Sequence, residues 1–283
     1  MTPTPEHAAA PVVGFIGAGN MARSLAGGLV NNGWPKTRLI LSDPDPEQRR
    51  GISEALGLET LADNNAVAAR ADILVLAVKP QVLAQVARGI AATVQQRQPL
   101  VISIAAGVRL SDLERWLGGR LPIVRVMPNT PALVGSGASG LYANARVDDA
   151  MRSQAESILR AVGVTVWVDH EALIDAVTAL SGSGPAYFFL VMEALEHAAI
   201  EQGLNARQAR LLTLETAFGA AKMALEGGEE LAELRRRVTS PGGTTEAAVK
   251  VLEDGGIRRL FSDAVAAAAR RARELGDLLG AGK

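Results

Sequence analysis

Val13-Gly14-Phe15-Ile16-Gly17-Ala18-Gly19-Asn20-Met21-Ala22 is the stretch on which the fold turns. An apolar run stops at two glycines one residue apart, and the composition then becomes helical. This is a Gly-x-Gly-x-x-Ala pattern in a strand–turn–helix setting. Gly17 permits a tight turn, Gly19 lets the backbone come close to a pyrophosphate, and the small Ala22 allows close helix–strand packing. The start of the helix adds positive potential from unpaired N–H groups. A plain βα turn could carry the same glycines, so the context on either side has to decide.

Working outward, the apolar runs Pro11 to Ile16, Leu39 to Leu41, Ile73 to Val78, Leu100 to Ile104 and Ile123 to Val126 read as strands. They are continuous rather than alternating, as strands buried on both faces are. Helical stretches such as Ala22 to Asn32 and Pro46 to Leu56 lie between them, and a last strand, Val164 to Val168, closes this half. Alternation of this kind predicts an α/β fold with a doubly wound, Rossmann-type parallel sheet. After about Asp169 the chain reads as all helix: Leu173 to Leu180, Pro185 to Gln202, Ala206 to Leu225, Glu229 to Val238, Thr244 to Leu252 and Arg258 to Leu279, with Gly-rich breaks. The expected division is a flexible tail over 1–11, a dinucleotide-binding domain over 12–170, and a helical substrate and oligomerisation domain over 171–283. The Ala/Leu-rich helices carry more apolar surface than one small domain buries, which predicts a homo-oligomer built through this half.

Composition narrows the function classes. Of 283 residues, 48% are hydrophobic and 21% charged, with a formal net charge of −1, so there is no electrostatic footprint for nucleic acid. Arg235-Arg236-Arg237 is the most basic run and sits among Glu229, Glu230 and Glu233, the pattern of a solvated mixed-charge helix face. Cysteine is absent, and His7, His170 and His197 are not spaced as a metal cluster, so no metal is expected. The first residues, Pro/Ala-rich with Glu6 and no basic start, do not read as a signal peptide. No apolar run reaches the roughly 18 residues of a membrane span, so the expectation is a cytoplasmic protein without membrane partners.

Coenzyme contacts are expected where strands end. Leu41-Ser42-Asp43-Pro44 ends the second strand, where an acidic residue commonly holds the adenosine ribose. Gln48, Arg49 and Arg50 follow and could take a 2′-phosphate, although they suit a solvated helix surface equally; the reading favours NADPH and leaves NADH open. Ala77-Val78-Lys79-Pro80 ends another strand, with Lys79 placed for phosphate or ribose or simply for solvent. Ser103-Ile104-Ala105-Ala106-Gly107 leaves room for a nicotinamide ring. In Met127-Pro128-Asn129-Thr130-Pro131, the prolines either present Asn129 to ligand or shape the loop.

Taken together, these segments resemble the pyrroline-5-carboxylate reductase family. The resemblance is carried by Phe15 to Met21, Ala77 to Pro80, Arg125 to Pro131, Asp175 to Tyr187 and Val238 to Thr245, in order over nearly the whole chain. It departs at Ser136, where the family commonly has Glu. The family match implies reduction of Δ1-pyrroline-5-carboxylate to L-proline by NAD(P)H, the last step of proline biosynthesis. It implies coenzyme contacts at Ile16, Gly17, Ala18, Gly19, Asn20, Met21, Ser42, Asp43, Pro44, Asn64, Ala77, Val78, Lys79, Pro80, Ser103, Ala105 and Asn129. The implied substrate residues are Glu171, Val238, Ser240, Gly242, Gly243, Thr244 and Thr245, with Thr245 the catalytic position, its hydroxyl near the ring nitrogen. The Ser181 to Tyr187 turn is implied to lie near the coenzyme and a subunit interface; a packed helix–helix turn accounts for it equally. The implied assembly is a homo-oligomer with a dimer as building block and a decamer as a larger form.

The residues around Thr245 have a physical reading of their own. Pro241 ends a helix, Gly242 and Gly243 permit unusual backbone angles, and Thr244 or Thr245 is placed to cap the next helix. Consecutive N–H groups at such a start suit an anion, as an ordinary capped turn also would. A protonated cyclic imine is already electrophilic, so the protein mainly has to align two reactants, which agrees with the scarcity of His and the lack of Cys. A β-hydroxyacid dehydrogenase is the nearest rival, but it needs a Lys where this chain has Phe188. A coenzyme-sensing or scaffold protein would have no use for the Ser240–Thr245 loop.

Overall fold

Sheet formation follows directly from the apolar runs. In the computed structural model, which describes residues 10–281, eight strands form one sheet in the order β3-β2-β1-β4-β5-β6-β7-β8. They are β1 (Val13–Ile16), β2 (Leu39–Ser42), β3 (Glu59–Leu61), β4 (Ile73–Leu76), β5 (Leu100–Ser103), β6 (Ile123–Met127), β7 (Gly137–Ala143) and β8 (Gly163–Trp167). Every residue of β1, β2, β4 and β5 is buried. Neighbours on β1 take opposite faces: Phe15 joins one hydrophobic core with Leu25, Leu41 and Ile158, and Ile16 joins the other with Leu74, Leu83 and Trp116. Helices α1 (Asn20–Asn31), α2 (Pro46–Leu56), α3 (Asn64–Arg70), α4 (Pro80–Arg97), α5 (Leu110–Trp116) and α6 (Asp149–Arg160) alternate with the strands. Asp45, Asp63 and Asp148 cap α2, α3 and α6 by accepting backbone N–H groups.

The α/β class holds, with one correction to the sheet. Strands β3, β2, β1, β4, β5 and β6 pair in parallel, but β7 runs antiparallel to β6, and β8 is parallel to β7. Neither β3 nor β7 was legible as a strand. β3 is a three-residue edge. β7 reads Gly-Ala-Ser-Gly-Leu-Tyr-Ala, a composition with little β propensity. Its small residues answer to packing: a Cβ on Gly140 would come within 2.6 Å of Val177. Tertiary closeness chose these residues, and the sheet forms in spite of them.

The chain then turns to helix. α7 (Leu173–Val177) passes into a π-helical turn, Thr178–Gly182, where a continuous helix from Leu173 to Leu180 was expected. Thr178 and Ser181 hydroxyls donate to the Ile174 and Val177 carbonyls at 2.8 and 3.1 Å. α8 (Gly184–Glu201), α9 (Ala206–Gly227), α10 (Leu231–Arg237), α11 (Thr244–Asp254) and α12 (Ile257–Ala281) follow. Two compact units result: one comprises the chain up to Ser183 together with the stretch from Ala268 on, and the other is Gly184–Ala267. The last strand, β8, ends at Trp167, shortly before the expected boundary at 170/171. Of the 1–11 tail, residues 1–9 lie outside the described residues.

Within Gly184–Ala267 very little is buried. α8 buries only Gly184 and α9 only Ala209, while Phe188, Phe189, Leu211, Leu212 and Phe218 are all more than half exposed. The expectation that no segment is long and apolar enough for a membrane needs correcting. The helical stretch Leu173–Glu201 meets that test by length and mean hydropathy, 1.2. Asp175 and Glu193 interrupt the unbroken run, while the average hydropathy of the stretch stays high. Arg235, Arg236 and Arg237 pair with Glu253, Glu233 and Glu229, as a mixed-charge face does.

Candidate functional site

The glycine turn is built as a cradle. Gly17 has φ +100°, and a Cβ there would lie 2.8 Å from the Ala77 carbonyl oxygen. Its N–H donates to the Ser42 carbonyl at 2.7 Å, tying the turn to the end of β2. Gly19, which caps α1, is the opposite case: a Cβ would meet nothing within 4 Å, so the space above it is open. The first N–H groups of α1, at Asn20, Met21 and Ala22, have no partner inside the helix and face that end. Ala22 is fully buried, as close helix–sheet packing requires.

Beside this turn is a cleft of about 450 Å³ whose lining includes Gly17, Pro44, Asp63, Asn64, Val78 and Val82. Ser42 is fully buried, and its hydroxyl donates to Asn64 Oδ1 at 2.8 Å, so Asn64 keeps its amide N–H groups for the cleft. Asp43 Oδ2 accepts the Ala18 N–H at 2.8 Å and Oδ1 accepts the Asp45 N–H at 2.9 Å. Lys79 is exposed and begins α4, with Pro80 in its first turn. At the end of β5, Ser103 is fully buried and its hydroxyl has no hydrogen-bond partner, while Ala105 is buried beside it in sequence. Ile16 belongs to the core, so only its backbone is available to a ligand.

Other expected site residues are engaged by the protein itself. Asn129 Nδ2 donates to the Ser181 carbonyl at 3.1 Å, and Oδ1 accepts the Ala138 N–H at 2.9 Å. Asn129 therefore clasps the β6 end to the π turn and to β7. Glu171 Oε1 accepts from Arg125 Nη1 at 2.9 Å and from the Leu110 N–H at 2.8 Å. Arg125 is buried and also lies 3.6 Å from Asp175. All three members lie at positions the sequence singles out, but nothing in the sequence pairs them with one another.

The Ser240–Thr245 loop lies in the helical unit. Gly242 takes the left-handed region at φ +69°, as the glycine pair suggested. The capping expectation is corrected: Gly243 is the N-cap of α11, and neither Thr244 nor Thr245 supplies a side-chain cap. Glu246 Oε2 accepts the Gly242 N–H at 2.7 Å instead, and the Gly243 N–H donates to the Ser240 carbonyl at 3.0 Å. The reason is positional: residues already inside the helix cannot cap it, while a carboxylate in its first turn can reach back. A carboxylate on this loop's backbone is thus part of the structure. The Thr245 hydroxyl is left uncommitted to capping and is half-buried. Val238 ends α10 and is 60% exposed.

The open space above Gly19, the adjoining cleft and the buried Ser103 hydroxyl without a partner fit a nicotinamide dinucleotide. A parallel-dominated sheet with this cradle, continued by a helical half, defines a two-part oxidoreductase that uses NAD(P)H. The family model "Pyrroline-5-carboxylate reductase dimerisation" matches residues 171–275, and the model "NADP oxidoreductase coenzyme F420-dependent" matches 12–107. A pyrroline-5-carboxylate reductase of Pseudomonas aeruginosa is 52% identical over 95% of this chain and 98% of its own length. Among solved structures, a pyrroline-5-carboxylate reductase from Coxiella burnetii superposes with TM-score 0.91 at 48% identity, covering 94% of this chain and 98% of the other. A Plasmodium falciparum pyrroline carboxylate reductase with NADP bound gives TM-score 0.83 at 31% identity, over 94% and 98% of the two chains. The chain belongs to the pyrroline-5-carboxylate reductase family.

Proposed function

We infer that this protein reduces the C=N bond of Δ1-pyrroline-5-carboxylate with NAD(P)H to give L-proline, the last step of proline biosynthesis. The observation that carries this reading is the 52% identity to a reductase of that name across 95% of the chain, which takes in both the glycine cradle and the Ser240–Thr245 loop. When bound, the reduced nicotinamide supplies a hydride to the imine carbon. The chain's own residues align and shelter the reactants. The backbone of Gly17 to Met21 holds the pyrophosphate, Asn64 and the β2 end hold the adenosine ribose, and Ser103 and Ala105 border the ring. In the helical half, the N–H groups at the start of α11 hold the substrate carboxylate, and the Thr245 hydroxyl hydrogen-bonds the ring nitrogen. Glu171 acts through Arg125 and Leu110, which it already holds. The ring nitrogen enters protonated and leaves as a secondary amine, so no strong protein acid is required.

The preferred coenzyme is NADPH, and the protein works in the cytoplasm. Residues 12–170 serve the coenzyme and 171–283 the substrate and assembly. The apolar faces of α8, α9 and α12 are subunit contacts, not a membrane surface. They give a dimer as the unit from which a decamer is built. The test is NADPH oxidation followed by absorbance with pyrroline-5-carboxylate added. Substrate-dependent oxidation with proline as product is expected. No oxidation, but turnover of a 3-hydroxyacid with NADP, would overturn the reading.

A further inference from the structure

Asp43 and Arg49 both engage the backbone of the turn that follows β2. Asp43 is committed to the backbone on both oxygens, through the Ala18 N–H of the glycine turn and the Asp45 N–H at the start of α2. It therefore latches two loops together. Arg49 reaches back from α2 to the same turn. Its Nη1 donates to the Asp43 carbonyl at 2.7 Å and to the Pro44 carbonyl at 2.9 Å, and Pro44 lines the coenzyme cleft. One amino group thus serves both carbonyls, and Nε and Nη2 make no hydrogen bond or ion pair among the described residues. The next residue differs: Arg50 is exposed and already paired with Glu47, with Glu54 at 3.8 Å.

We propose that Arg49 is the residue that selects a coenzyme carrying a 2′-phosphate, and that Asp43 serves as the latch of the turn. This rests on the NADPH preference proposed above and names the side chain responsible for it. A guanidinium presents a planar fork that matches phosphate oxygens, and here half of that fork is unspent. Pinning by two carbonyls fixes the side chain in advance, so less rotamer freedom is lost on binding.

The experiment is calorimetric titration of the full-length protein with NADP, NAD and adenosine 2′-monophosphate, in wild type, Arg49→Ala, Arg49→Lys and Arg50→Ala. Arg49→Ala should weaken NADP and adenosine 2′-monophosphate by about tenfold or more, the size of one charge-assisted hydrogen bond, with NAD kept within about twofold. Arg49→Lys should lose only part of this, because the charge remains without the fork, and Arg50→Ala should match wild type. Unchanged NADP affinity in Arg49→Ala overturns the inference. So does equal weakening of NADP and NAD, which would make Arg49 a brace for the turn alone. If wild type binds NAD as tightly as NADP, the NADPH preference itself falls. Wild-type preference for NADP that survives Arg49→Ala sinks only the assignment to Arg49. Imine reduction is judged separately, by the absorbance assay.

Discussion

At the scale of single residues, Thr245 and Arg125 show how differently a motif position can act. The Thr245 hydroxyl is not consumed by helix capping, since Gly243 and Glu246 manage the start of α11. Thr245→Ala should therefore lower kcat by about tenfold or more, the loss of one hydrogen bond to a charged ring, while NADPH binding stays within about twofold. Loss of coenzyme binding together with turnover would show a structural role. Arg125 lies in an equally recognisable motif but is buried against Glu171 and Asp175. Removing one partner of a buried ion pair leaves uncompensated charge, so Arg125→Met should cost on the order of 3–5 kcal/mol and lower the thermal midpoint markedly. Glu171→Gln keeps an acceptor for Arg125 and the Leu110 N–H and should cost less. Sequence alone could not separate these cases. Glu171 meets its partners across 61 and 46 residues of chain, a distance no local pattern encodes.

At the scale of elements, helix α1 carries a test of how closely tertiary packing constrains composition. Gly27 and Gly28 are adjacent and look alike in the sequence. A Cβ on Gly27 would touch only Leu56, at 3.6 Å, in ordinary contact. On Gly28 it would lie 2.6 Å from the Ala161 carbonyl and 2.7 Å from Val162, where α6 gives way to β8. Gly27→Ala should raise stability by up to about 1 kcal/mol through helix propensity. Gly28→Ala should lower it by about 1–3 kcal/mol through overpacking, and paired thermal melts would show shifts of opposite sign. The same logic explains β7: the reason for its Gly140, the approach of Val177, lies on another element. Elements fixed by their own composition, such as the unbroken apolar runs of β1, β2, β4 and β5, are legible. Elements fixed by a neighbour were not.

At the scale of the whole molecule, the Gly184–Ala267 unit exposes Phe188, Phe189, Leu211, Phe218 and Leu260, each at least 58% exposed and far from the behaviour of a lone soluble helical unit. The family model matched to this region is a dimerisation model, and an oligomer is the means of covering such a surface. Phe218→Asp with Leu260→Asp should shift the protein toward monomer in sedimentation velocity, because a buried unpaired carboxylate strongly disfavours an interface. Unchanged sedimentation would place the contact on other faces of the helices. The sequence by itself determined the α/β half, the glycine cradle, the change to helix near residue 170 and the family, because each is written as a local run or motif that needs no partner to be read. The tertiary structure decided the antiparallel turn of β7, the π turn, the reach of Glu246 back to the Gly242 N–H and the pairing of Arg125. It also decided which arginine after β2 stays available. These depend on groups distant in the chain arriving within hydrogen-bond reach, and only folding brings that about.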